Sequence, residues 1–148
     1  MRQVMNFVKA NIGEFGFRTL ISLILLAVGL VFVVFAIKKI PSLGRGFFLV
    51  GLTAVSLLLV WQIEIAEEKI HLFEFAVLGW LAFKDTWSKD KKSKGVILAL
   101  VFTFAVGVLD EGFQAVLPYR YFQGWDIFLN CLGGLWGVLS FLIFRGAR

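Results

Sequence analysis

Between Gly107 and Gly137 the chain reads GVLDEGFQAVLPYRYFQGWDIFLNCLGGLWG. Asp110, Glu111 and Gln114 stand inside one apolar run, Arg120 follows Pro118 in a short connector, and Asp126 and Asn130 open the next apolar run. Helical spacing at i and i+4 places Asp110 with Gln114 on one face, and Asp126 with Asn130 on another. Upstream, His71 and Glu74 stand at i and i+3, just after Glu68. Ionisable groups near hydrocarbon are costly unless paired or hydrated, so their presence points to function. His71 titrates nearest neutral pH and is the proton-transfer candidate, with Glu74 or Glu67 setting its tautomer. The planar fork of Arg120 suits a phosphate or a carboxylate. Asp110, Glu111 and Asp126 would orient a substrate or hold a divalent cation through oxygen, although no metal is demanded and no cofactor is named by the sequence.

Each of these residues also has a structural reading. Asp126 can cap the helix that it opens. Gln114 and Asn130 can hydrogen-bond between helices, while Gly133, Gly134 and Gly137 let a neighbour approach. One of Asp110 and Glu111 can form a salt bridge with Arg120. Successive helical residues lie about 100° apart, so both acids do not face one partner. The lone Cys131 packs as a small apolar residue and its thiol is expected to be inert. A single histidine excludes an H-E-x-x-H zinc site.

The elements that must position these groups are membrane helices. The chain has 148 residues, 59% hydrophobic and 17% charged, and a mean hydropathy of +0.87. Soluble domains are about half apolar and about a quarter charged. The charges here cluster between apolar runs, which is the distribution of a small polytopic membrane protein. The expected fold is all-α: one integral membrane domain, a polytopic transmembrane helix bundle with about five spans near 19–37, 46–63, 70–87, 95–117 and 125–144. Residues 1–17 form a short amphipathic segment, with Val4, Val8, Ile12 and Phe15 as a stripe, suited to the interface or to a frayed tail. Glu64 to Lys69 reads as an acidic hinge before the third span, and Lys84 to Lys94 as a charged loop.

Five spans alternate the loops. The turn after span one, the Lys-rich loop and the C-terminus then share a side and hold ten of the 15 Lys and Arg residues. Positive charge marks the cytoplasmic side, so the N-terminus is expected outside and the C-terminus inside. His71, Glu74, Asp110, Glu111, Gln114, Arg120, Asp126 and Asn130 then gather at the outer leaflet. No basic surface on a soluble fold is present, which argues against nucleic acid as a partner.

The order Asp110-Glu111-x-x-Gln114, Pro118-x-Arg120 and Asp126-x-x-x-Asn130-x-x-Gly133-x-x-x-Gly137 resembles the VanZ-like family of bacterial membrane proteins. Glu68 and Lys69, followed by His71, are similar to that family's Asp-Lys and His block, with Glu68 where Asp is usual and Phe75 where Tyr is frequent. The resemblance implies a multi-pass protein of the cell envelope in a family linked to glycopeptide (teicoplanin) resistance. Two functions follow as expectations. In the first, His71, Glu74, Asp110 and Glu111 act on a membrane lipid or lipid-linked envelope precursor held by Glu68, Gln114, Arg120, Asp126 and Asn130. In the second, the same cluster belongs to a non-catalytic binder of lipid or glycopeptide, or to a subunit of a membrane complex. Transport is a weaker third reading, because no inverted repeat is visible.

Overall fold

A computed structural model describes residues 2–39, 42–63, 66–88, 90–117 and 122–145. They form five α-helices: α1 (Arg2–Lys39), α2 (Leu43–Gln62), α3 (Ala66–Thr86), α4 (Lys92–Val116) and α5 (Gly124–Arg145). No strand occurs among the described residues. Among the described residues four stretches are long and apolar enough to cross a membrane: Lys9–Phe35, Leu43–Gln62, Lys92–Val116 and Gly124–Arg145. The protein is an all-α, multi-pass membrane protein. Large apolar side chains such as Val31, Phe47, Phe113 and Val116 face outward. In water such a surface drives aggregation, whereas in a bilayer it meets lipid. The α3 helix is long enough to cross but is less apolar, since it carries Glu67, Glu68, Lys69, Glu74, Lys84 and Asp85.

The chain divides into two compact units, Met1–Lys69 and Ile70–Arg148, with the boundary early in α3. In the first unit α1 is broken at Gly13, whose φ of 74° and ψ of 165° leave the helical region. A positive φ costs glycine little because it has no Cβ. The residues on both sides of the break are helical, so the amphipathic segment continues into the first span as one kinked element. Val4 and Val8 of its stripe are described by backbone alone, while Ile12 and Phe15 are exposed. Lys9 and Glu14 pair across the break at 3.4 Å.

The acidic hinge expected at 64–69 is instead largely helical, because α3 starts at Ala66. Glu68 thereby stands in its first turn, where the helix N-terminus favours negative charge. The charged loop expected at 84–94 shrinks for the same kind of reason. Lys84 and Asp85 extend α3, and Lys92 and Lys94 begin α4.

In the second unit, glycines let α3 press its backbone against α5. A Cβ on Gly133 would strike the Leu72 carbonyl, one on Gly137 the Ala76 carbonyl, and one on Gly79 the Gly134 carbonyl. Thr103 of α4 meets Gly134 from another side. At one end of the unit Phe83, Ala99, Val138 and Phe141 form a buried core. Edge-on ring contacts of Trp80 and Phe83 with Phe141, at 5.3 and 5.4 Å, close it. The Lys92 ammonium and the Arg145 guanidinium lie over the Trp87 ring at 5.7 and 6.0 Å. This end is therefore aromatic and basic, and the polar residues collect at the other end.

Replacing Gly133 or Gly137 with alanine forces α3 away from α5. Each change is expected to cost about 1–3 kcal/mol, the usual range for overpacking, read as a lower melting temperature in detergent. Gly112, which has nothing within 4 Å of its missing Cβ, is the control and is expected to change to alanine without loss.

Candidate functional site

Helix α3 enters the second unit with His71 and Glu74, while α4 runs antiparallel to α5 and ends beside the start of that helix. Three helix ends therefore meet. Asp110 lies six residues before the last residue of α4, Val116, and takes a hydrogen bond from Gln114 Nε2 at 3.0 Å. Gln114 is thus bonded within its own helix, not between helices as its residue type also allowed. The i, i+4 spacing brings the amide onto Asp110 before any neighbour can compete.

The same carboxylate oxygen, Asp110 Oδ2, lies 3.6 Å from His71 Nδ1. Glu74 Oε2 lies 4.0 Å from that nitrogen. Neither is a hydrogen-bond length, and both are within ion-pair range. Two carboxylates on one side of the ring favour a proton on Nδ1, which leaves Nε2 with the lone pair. His71 is partly exposed, and Asp110 and Glu74 more so. A reagent at this position can be reached.

Glu111 turns the other way. It is 0% exposed, and its Oε2 accepts the backbone N–H of Gln123 at 3.2 Å. Its carboxylate lies within electrostatic reach of Asp126, Asp110 and His71. Gln123 had no sequence signal, because it acts through a main-chain amide that any residue but proline carries. Asp126 stands inside the first turn of α5, buried, with its own N–H donated to the Gln123 carbonyl at 3.0 Å, where the N-terminal dipole favours its charge.

Asn130 is fully buried one turn deeper. Neither of its amide atoms has a hydrogen-bond partner among the described residues. It makes no interhelical bond there because α4 presents Gly107 at that level, where a Cβ would meet the Asn130 Cβ at 3.2 Å. The glycine leaves room for the amide but offers no side chain to bond it.

The structure thus brings His71, Glu74 and Asp110 together, with Gln114 behind them and Glu111 beside Asp126. Glu68 is buried in the first unit. Arg120 and the Glu67 side chain lie outside the described residues. Among the described residues no three or more His, Cys, Asp or Glu stand so as to hold a metal ion. Asp110 turns towards Gln114 and His71 while Glu111 turns towards Gln123, so the two adjacent acids meet different partners. Cys131 is half-buried and borders an apolar groove of about 370 Å³ with Leu100, Val101, Thr103, Phe104 and Leu135.

One polar residue of the upstream block was passed over in the sequence. Lys69 is 2% exposed in the first unit, and its Nζ donates to Ser22 Oγ at 2.6 Å. Its place beside Glu68 made it look like a hinge charge in water.

A family model described as VanZ/LLP1 matches residues 17–145. No curated protein and no solved structure matches the chain.

The bond from Gln123 to Glu111 is expected to hold the entry to α5. Glu111→Ala leaves a main-chain N–H without its charged acceptor and should lower stability by about 1.5–3 kcal/mol, measured by thermal unfolding in detergent. Glu111→Gln keeps an acceptor oxygen and should recover most of that loss.

Proposed function

Because this chain belongs to the VanZ/LLP1 family of membrane proteins, we propose that its polar cluster recognises and chemically alters the headgroup of a lipid or lipid-linked envelope precursor. The observation that carries the reading is the line Gln114–Asp110–His71, with contacts of 3.0 and 3.6 Å. Gln114 fixes the carboxylate, the carboxylate orients the imidazole, and Nε2 is left to take a proton from substrate and return it. Glu74 adds a second negative group on the Nδ1 side. Arg120, in the connector before α5, would hold a phosphate or carboxylate of the headgroup.

In this reading α3 crosses the membrane as well, carried by its close contact with α5. The charge rule then puts the cluster at the outer leaflet of the cell membrane, the N-terminus outside and the C-terminus in the cytoplasm. Interference with a glycopeptide antibiotic that acts on envelope precursors is the cellular role that fits such a site.

A second reading has an observation of its own. Glu111 is sealed from solvent and tied to a main-chain amide, which is the behaviour of a strut. A cluster built from struts binds without reacting, so the protein would be a non-catalytic receptor for the same headgroups.

Reconstitution in membranes with a total envelope-lipid extract, followed by mass spectrometry of the lipids, separates the two. Turnover should fall about 10²–10⁴-fold in His71→Ala, the range for loss of a general acid–base, with the protein still folded in the membrane. Unchanged turnover in that variant excludes His71 as the proton carrier. Lipid that co-purifies unaltered with the wild type establishes the receptor.

A further inference from the structure

The chemistry proposed for His71 leaves unused a buried cation in the first unit. The Lys69 ammonium has three N–H donors and, among the described residues, one acceptor, Ser22 Oγ at 2.6 Å. The Ser22 hydroxyl donates in turn to the Arg18 carbonyl at 2.9 Å. Ser22 is therefore engaged on both sides and holds Lys69 by its lone pair, leaving two N–H groups of Lys69 to point elsewhere. Arg18 is one turn back on α1, half-buried, with its guanidinium over the Phe15 ring at 5.6 Å.

The charge that acts on Lys69 is thus another cation. Lys69 is buried, and the Arg18 charge lies within electrostatic reach of its ammonium. Glu68 sits about 100° further round the helix, and no described carboxylate offsets Arg18 at Lys69. Two cations brought together away from water repel unless an anion lies between them.

We propose that Lys69 and Arg18 form a binding site for a phosphate group, with Ser22 holding Lys69 in position. Lys69 supplies a point charge with two spare donors, and Arg18 supplies a planar fork. Together they match the charge and the several oxygens of a phosphate better than those of a single carboxylate. Arg18, the more exposed of the two, is the side from which the anion enters. A lipid headgroup and free phosphate present the same chemistry. The site uses residues of the first unit alone and does not depend on the reading given to His71.

The test uses the full chain in an uncharged maltoside detergent, titrated separately with phosphatidylglycerol, inorganic phosphate and phosphate-free diacylglycerol, with thermal unfolding as the readout. The melting temperature should rise with a phosphate-bearing probe and not with diacylglycerol. The concentration needed should increase about tenfold or more in Lys69→Met, as expected for loss of a charged hydrogen bond. Arg18→Gln should show the same loss, and it serves if Lys69→Met does not fold. A response to phosphatidylglycerol alone assigns the site to a headgroup, and a response to inorganic phosphate assigns it to the free anion. An undiminished response in both variants, or none to either phosphate probe in the wild type, overturns the proposal.

Discussion

The contact between the backbones of α3 and α5 is the constraint on which the rest of the second unit depends. α3 is the least apolar of the helices, and lipid would be a poor environment for its charged face. Missing side chains at Gly79, Gly133 and Gly137 let its main chain lie directly on α5. Close approach of this kind replaces the hydrophobic drive that helices lack inside a membrane. It also fixes which residues of α3 meet α4. With the register set by Leu72 and Ala76 against α5, His71 and Phe75 fall towards α4, at the levels of Asp110 and Gly107.

Once that register is set, the polar groups sort by what can satisfy them. Asp110 has a side-chain amide one turn away, so its remaining capacity is available to His71. Glu111 has no such neighbour and takes the main-chain amide of Gln123. Two adjacent acids thus acquire opposite characters, one accessible and adaptable, the other sealed and structural. The difference comes from about 100° of helix rotation, not from residue type. Asn130 completes the gradient, with an amide surrounded by packing and no described partner.

Much of this was visible in the residue pattern. The apolar runs located the helices, and α4 and α5 depart from their expected bounds by only a few residues. The i, i+4 pairing of Asp110 and Gln114 is local, so spacing alone located it. The meeting of His71 with Asp110 was legible because alternating loops, read with their charges, put both on one side in the expected topology. What spacing could not carry was the choice among partners. A main-chain donor such as that of Gln123 leaves no mark in residue types. Glu68 and Lys69 looked like hinge charges because a run of charges suits water, whereas the helix in fact begins earlier and buries them. Ser22 lay hidden in an apolar run, where a serine that bonds its own helix is unremarkable until a lysine from another helix is found against it.

The break at Gly13 bears on the kind of bilayer that this chain fits. The apolar stretch Lys9–Phe35 would be about 40 Å long as one straight helix, against a hydrocarbon core of about 30 Å. Such an excess is relieved by a steep tilt or by local thickening of the membrane. The kink removes it another way. From Glu14 to Phe35 the axis measures about 33 Å, close to the thickness to be crossed. Gly13 thereby brings the straight part of the first helix close in length to the hydrocarbon that it would cross.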